Sequence, residues 1–448
     1  MAVLEKMSTL VDAAKYDTCL VCGSGFHKRA GPLGEWIYPT KLPDGRTVLM
    51  LRILQTNACS YDCTYCVNRA GRAFRRYRLA PEELAQGFWE LASRGHVYGL
   101  FLSSGVVGAD RTQEQLITTA EILRERYRFD GYIHLKIMPG ASEGHIARAM
   151  ELADRVSVNL EVPTADHMRV LSGRKAFASE LLGPMRIIGR LLGGAKIRCK
   201  DHSTQFVVGA AGETDAQILR TVSTLTHEMR LARAYYSAFQ PVPDTPLADR
   251  PGTPLRREQR LYQAEYLLRR YGFAFEEFVF DAHANLSLAL DPKLVWAMHH
   301  PERFPVEVNT APLETLLRIP GIGPTSARRL VRERRRARLT SVEHLRAVGA
   351  LARRAAPFVL LNGKAQGYLH ETVQLSLADG ASGVQFDEVL VAMLQDAVMG
   401  RRRRGPGTRM PPASSGSGCA SCGGCTACGS HTQTLLLPTT SVWAPTLN

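Results

Sequence analysis

"TVLMLRILQTNACSYDCTYCVNR", residues 47–69, joins an apolar, β-branched run to a loop with cysteines at positions 59, 63 and 66. The run 47–54 has the composition of a buried strand. Three thiols are one short of a closed tetrahedral zinc site and one more than a redox pair needs. The strand that feeds this loop belongs to a longer pattern, and that pattern decides the fold.

From about residue 48 to 245 the chain alternates strand-like and helix-like segments. "PEELAQGFWELASRG" (81–95) has proline in its first turn, helical apolar spacing and a closing glycine. "VYGLFLSSG" (97–105) reads as a strand, and "TQEQLITTAEILRERYR" (112–128) as a helix opened by a Thr-x-x-Gln capping box. "YIHLKIMPG" (132–140), a helix over 143–153 and "RVSVNLEVPT" (155–164) continue the rhythm. A helix over 177–192, the strand "STQFVVGAAG" (203–212), a helix opened by Thr214 and Gln217, and "ARAYYSAFQPV" (232–242) complete it. Six such units predict an α/β fold, a partial (β/α)6 barrel with its functional residues at the C-terminal strand ends. An amphipathic helix over 257–272 extends it, and 299–311 reads as a connector. A small all-α segment runs to about 365, 384–399 reads as one more helix, and the rest has the composition of a disordered tail. The predicted domains are an N-terminal extension (1–45), the barrel with its helical extension (46–298), the helical domain (299–365) and the tail (366–448).

The chain has 448 residues, enough for two or three domains. No apolar run approaches the roughly 18 residues of a membrane span, and the N-terminus has no secretory h-region, so a cytoplasmic protein is expected. The ten cysteines fall in tight groups, which favours metal ligands over long-range disulfides. The net charge of +14 is concentrated: residues 314–364 hold twelve Arg/Lys against three Asp/Glu, and Arg401, Arg402, Arg403, Arg404 and Arg409 add to it. So local a field predicts a polyanionic partner, with a solvated basic face as the plain alternative.

In C-x3-C-x2-C, three thiolates can serve one [4Fe–4S] cluster and leave its fourth iron open to a non-protein ligand. In this motif and its place after a barrel strand, the chain resembles the radical S-adenosylmethionine (radical SAM) superfamily. The resemblance implies Cys59, Cys63 and Cys66 as metal ligands, S-adenosylmethionine on the open iron, and its reductive cleavage to methionine and a 5′-deoxyadenosyl radical. A zinc site borrowing Asp62 or a distant histidine is the alternative. Tyr65 matches the aromatic position before the last cysteine. Ser103, Ser104 and Gly105 stand where the superfamily usually has a Gly-Gly-Glu that holds the methionyl amine. The glutamate is missing, which leaves that task to carbonyls and hydroxyls. Asn159 and Glu161 match positions that reach the ribose or methionyl end. Gly209 and Glu213 match an element in which the glycine approaches adenine and the glutamate supports the turn.

"RIPGIGPTSARRLVRERR" (318–335) resembles a helix-hairpin-helix element, whose glycine turn and following helix start aim backbone N–H groups at a nucleic-acid phosphate. Gly321, Gly323, Thr325, Arg328, Arg329 and Arg332 are the implied contacts, with charge added by Arg334, Arg335 and Arg336. An ordinary helical hairpin is the alternative. A degenerate second hairpin turns at Val348-Gly349-Ala350.

Over residues 6–362 the chain resembles the DNA modification/repair radical SAM proteins, through "AAKYD", "CSYDCTYCVNR", "GLFLSSGV", "LKIMPGA", "TQFVVGAAGETD" and "DPKLVWAMHHPERFPVEVNTAPLETLLRIPGIG". That resemblance implies action on DNA, an electron donor such as flavodoxin or ferredoxin, and a functional link to a uracil-DNA-glycosylase-like protein. RNA, such as tRNA, is the alternative substrate, and a non-catalytic redox-sensing DNA-binding protein the alternative class. Asn68, Arg69, Lys136 and Arg174 are candidate phosphate contacts or plain surface residues. Cys19 and Cys22 read as a hydrogen donor, a redox pair or free thiols, and Cys199 as a core residue. Cys419, Cys422, Cys425 and Cys428, near His431, are numerous enough for zinc or a second cluster, although their surroundings read as disordered.

Overall fold

The computed structural model describes residues 3–14, 37–41 and 47–367, all in one compact unit. Cys19, Cys22, the expected helix over 384–399 and the tail cysteines lie outside the described residues.

Helix α1 (Val3–Ala14) and strand β1 (Ile37–Lys41) precede the repeating units. Seven strands then form one sheet in sequence order: β1, β2 (Thr47–Leu54), β3 (Gly99–Ser103), β4 (Tyr132–Lys136), β5 (Arg155–Ser157), β6 (Asp201–Val208) and β7 (Arg233–Ala238). Only the β1–β2 pair is antiparallel, so β2 to β7 are the six parallel strands that the rhythm predicts. Parallel neighbours need crossovers, and helices supply them: α2 (Pro81–Ser93), α3 (Ala109–Glu121), α4 (Glu143–Leu152), α5 (Ala165–Leu171), α6 (Gly183–Leu191) and α7 (Asp215–Met229), with α8 (Leu255–Arg270) after the last strand.

Leu51, Ile53, Leu100, Leu102, Ile133 and Leu135 on β2, β3 and β4 are fully buried. Each such side chain contributes about 1.5–3 kcal/mol relative to exposure. On β7, half-buried and buried residues alternate; the buried set includes Tyr236, whose ring meets Tyr262 of α8 edge-on at 5.0 Å.

Three expectations change. The strand expected over 155–164 stops at Ser157, and the chain meets β6 again only at Glu161 (φ 66), as an isolated bridge to Phe206. Thr112 is no N-cap. The helix starts at Ala109 behind Gly108 (φ 76), and Thr112, inside it, accepts the Val107 N–H at 3.0 Å. The helix expected over 177–192 begins as a π-helix (Phe177–Leu182) before α6.

After the barrel come α9 (Pro292–His299), β8 (Val306–Glu307), α10 (Leu313–Arg318), α11 (Pro324–Glu333), α12 (Val342–Ala347), α13 (Ala352–Ala355), β9 (Val359–Leu361) and β10 (Lys364–Ala365). The segment is therefore not purely helical. β8 lies in the expected connector and pairs in parallel with β9, which pairs with β10. Trp296 is buried against Phe273 and Phe304. Arg318 donates to the Gly272 carbonyl and to Glu277, both at 3.0 Å, and Arg354 pairs with Asp291.

The Thr214 box forms as expected: its hydroxyl accepts the Gln217 N–H at 3.2 Å, and the Gln217 side chain accepts the Thr214 N–H at 2.9 Å. Thr214→Ala should cost about 1 kcal/mol, read as a lower urea midpoint at unchanged slope.

Candidate active site

The cysteine loop leaves the C-terminal end of β2 and is laced to the end of β3. Gln55 N–H donates to Ser103 O at 2.8 Å, Gly105 N–H to Thr56 O at 2.7 Å, and Ser60 N–H to Val106 O at 2.8 Å. The approach at Gly105 is so close that a Cβ there would lie 2.1 Å from the Ala58 carbonyl oxygen. On the other side, Arg76 donates to four backbone carbonyls: Asn57 at 2.6 Å, Asn68 at 2.7 Å, Arg69 at 2.7 Å and Arg72 at 3.2 Å. Phe74 lies under that guanidinium, 3.7 Å from ring centre to carbon. Asn57 adds two bonds, donating to Arg75 O at 3.1 Å and accepting from Tyr77 N–H at 2.7 Å.

Within this frame Cys63 is buried, Cys59 and Cys66 are half-buried, and all three are free thiols. Cys66 N–H donates to Cys63 O at 3.2 Å, and Asn68 N–H points at the Cys66 sulfur at 3.4 Å. Burial pushes the Cys63 thiol up, opposed by the nearby Lys175 ammonium. Lys175 is itself buried, 3.6 Å from the Glu161 carboxylate and 5.5 Å from the centre of the Tyr61 ring. Desolvation opposes the Lys175 charge, but Cys63, Glu161, Cys66 and Cys59 together raise its pKa above that of an ordinary lysine. The Tyr61 hydroxyl donates to Glu180 at 2.9 Å.

These residues fit a three-thiolate cluster. No disulfide joins the three thiols, Arg76 and Lys175 stand beside the loop that carries them, and a backbone N–H points at one sulfur. They fit zinc poorly. Asp62, the candidate fourth ligand, accepts the Ser172 hydroxyl at 2.5 Å, and among the described residues no three His, Cys, Asp or Glu side chains, the three cysteines included, stand close enough to hold a single metal ion.

The other expected positions divide. Ser103 is buried at the end of β3, and Ser104 turns its hydroxyl to Gly105 O at 2.6 Å. Tyr65 and Asn159 are half-buried. Glu161 is fixed to β6 by its N–H to Gln205 O and its carbonyl from Val207 N–H, both 2.8 Å. A buried non-glycine residue at positive φ stores on the order of 1–3 kcal/mol of strain, which tends to collect at functional sites. Glu213 supports its turn as expected: its carboxylate accepts the N–H groups of Gly209 and Ala211. Gly209 has φ +88, and a Cβ there would strike the Thr253 hydroxyl at 2.0 Å, so its close neighbour is protein.

The proposed phosphate contacts are engaged locally. Arg174 donates to Ser60 O at 2.7 Å and Arg69 to Asp62 O at 3.3 Å, so both brace the loop. Lys136 is buried, and Asn68 accepts Arg76 through its carbonyl. Cys199 is buried, in keeping with a core role. Sequence reasoning missed Arg76 and Lys175. Arg76 is one of five arginines in 69–78 and reads as basic surface, and Lys175 stands in no motif.

At the basic segment, Gly321 (φ +83) is glycine because a Cβ would meet the Leu351 carbonyl at 2.7 Å, where Leu351 N–H bonds Gly321 O at 2.8 Å. The two turns, at Gly321 and near Gly349, thus pack together, with an Arg329 nitrogen 3.3 Å from where a Gly349 Cβ would stand. Gly323 N–H donates to the Ser326 hydroxyl at 2.8 Å, capping α11, and Thr325 is half-buried. Arg328, Arg329, Arg332, Arg335 and Arg336 are exposed. Arg334 instead turns inward to Val308 O at 2.8 Å and Ala311 O at 2.6 Å.

Six parallel strands, with a three-cysteine loop after the first of them, frame the site. Residues 53–225 match the family model described as Radical SAM superfamily, so the chain carries a radical SAM domain. Domains of that kind use a [4Fe–4S] cluster and S-adenosylmethionine as cofactors. It is similar to tRNA-2-methylthio-N(6)-dimethylallyladenosine synthases from Clostridium beijerinckii (24% identical over 184 residues) and Clostridium botulinum (27% over 184 residues). Both matches cover 40% of this chain and 39% of the relative, so the chain spans about two-fifths of the length of those relatives. Among solved structures, it is similar to methylornithine synthase (PylB) at TM-score 0.41 and 15% identity, covering 49% of this chain and 61% of that one. HydG, the FeFe-hydrogenase maturase from Carboxydothermus hydrogenoformans, gives TM-score 0.42 and 16% identity, covering 59% and 63%. No helix among the described residues is long and apolar enough to cross a membrane.

Arg76→Ala and Gly105→Ala should each lower iron and acid-labile sulfide per chain after anaerobic reconstitution while far-UV circular dichroism is retained. Iron loading equal to wild type in both would show that neither residue holds the loop.

Proposed function

We propose that Cys59, Cys63 and Cys66 hold the cluster and that this chain is a radical SAM enzyme acting on DNA in modification or repair. The observation that carries the reading is a radical SAM domain in the same compact unit as an exposed arginine helix that follows a glycine turn. When bound, the cluster and S-adenosylmethionine supply a 5′-deoxyadenosyl radical able to take a hydrogen atom from a substrate. The protein's part is to hold and exclude. Arg76 and the Gly105 contact fix the thiols, the Asn68 N–H stabilises the Cys66 sulfur, and the turn built by Gly209 and Glu213 closes the end of β6. Tyr65, Ser103, Ser104, Asn159 and Glu161 belong to the cofactor's surroundings on this reading.

Gly321, Gly323 and Thr325, as a helix-hairpin-helix turn, would hold a phosphate beside α11, with Arg328, Arg329 and Arg332 supplying sequence-independent charge. A target nucleotide must leave the stack for its hydrogen to reach the cofactor. Similarity to the tRNA-modifying synthases favours a second reading, the same chemistry on RNA. A flavodoxin- or ferredoxin-type donor supplies the electron, and a uracil-DNA-glycosylase-like protein is the proposed pathway partner.

Reconstituted protein with dithionite and S-adenosylmethionine should form 5′-deoxyadenosine. None formed, with a reducible cluster and nucleic acid present, would sink the radical-enzyme reading. Nuclease digestion and mass spectrometry after incubation with DNA or with tRNA then identifies which carries the product. Arg328→Ala with Arg332→Ala should reduce the slope of log affinity against log salt by about 2 without changing the preferred sequence. That pair tests the interface better than Gly321→Ala, which would also disturb the packing of Leu351.

A further inference from the structure

We propose that the buried pair of Lys175 and Glu161 sets the reduction potential of the cluster, Lys175 raising it and Glu161 holding that rise in check. The inference rests on the assignment of Cys59, Cys63 and Cys66 as the cluster ligands. It concerns the step before any substrate is touched, in which one electron passes from an external donor to the cluster. No bond forms or breaks in that step, and Lys175 keeps its proton. The added electron increases the negative charge of a cluster already held by three thiolates, so a fixed ammonium nearby favours the reduced form.

Lys175 is placed to act in this way. Its side chain is 8% exposed, as is that of Glu161, so water screens neither charge well. Its ammonium stands beside the cysteine loop, 5.5 Å from the centre of the Tyr61 ring between Cys59 and Cys63, and its own segment is tied to that loop by Ser172 to Asp62 and Arg174 to the Ser60 carbonyl. Hydrogen bonds and net charge around the sulfurs are the levers by which a protein moves a cluster's potential.

The neighbouring charges are committed elsewhere. Arg76 spends its donors on four loop carbonyls, Asp62 accepts Ser172, and Glu180 accepts Tyr61. Stability alone gives a poor account of the pair. A buried ion pair roughly breaks even against apolar residues of the same shape. The 3.6 Å separation is longer than a charge-assisted hydrogen bond, and the Glu161 backbone is left-handed.

The test is an EPR-monitored potentiometric titration of the reconstituted full chain without S-adenosylmethionine, comparing wild type, Lys175→Met, Lys175→Arg and Glu161→Gln at matched iron content. Lys175→Met should move the midpoint to more negative potential, Lys175→Arg should stay near wild type, and Glu161→Gln should move it to more positive potential. Unchanged midpoints in Lys175→Met and Glu161→Gln, or shifts of both in one direction, overturn the proposal. So does a Lys175→Met variant with a wild-type midpoint and weakened S-adenosylmethionine binding, which would assign Lys175 to the cofactor's carboxylate instead. If Lys175→Met fails to hold a cluster, the sign of the Glu161→Gln shift decides. Wild-type protein that binds no four-iron cluster through the three cysteines overturns the ligand assignment itself, and this inference with it.

Discussion

The guanidinium of Arg76 gathers four backbone carbonyls from both limbs of the cysteine loop. A loop of this length cannot satisfy its own backbone as a helix or strand does, and carbonyls turned inward need donors. One planar cation with five N–H groups can serve all four at once, whereas a lysine has only three donors. The positions of the three thiols follow from that arrangement, together with the contact between Gly105 and Ala58. One side of the loop is thus held by a cation, and the other by the absence of a side chain.

The same logic runs through the rest of the barrel mouth. Arg174 and Arg69, which could have been spent on a ligand, donate to Ser60 and Asp62 carbonyls within the loop. Glu213 spends its carboxylate on the N–H groups of Gly209 and Ala211. Charged side chains here act mainly as substitutes for missing secondary structure. Lys175 and Glu161 are the exception: they face each other beside the thiols, and neither braces a turn with its charged group.

The basic segment shows a similar division of labour. Gly321 serves the packing of two helical turns, Arg334 ties α11 to the small sheet, and Arg328, Arg329 and Arg332 carry charge outward. Twelve basic residues in the sequence of this segment are therefore not equivalent. Burial and hydrogen bonding sort them into struts and contacts, a distinction that charge counting cannot make.

The strands β2 to β7 and the helices between them were legible from periodicity, because each buries one apolar face with a local spacing. The cysteine spacing was likewise legible, since one loop carries all three thiols. The boundaries that failed, at Thr112 and after Ser157, depend on backbone geometry, such as the positive φ at Gly108, that composition does not announce. The sequence by itself determined the α/β rhythm, the three-thiol loop and the clustering of positive charge. Tertiary structure alone decided that Arg76 frames the loop and that Lys175 meets Glu161 beside Cys63. Those contacts join residues whose chemistry depends on burial and on partners far along the chain, and no local pattern encodes either.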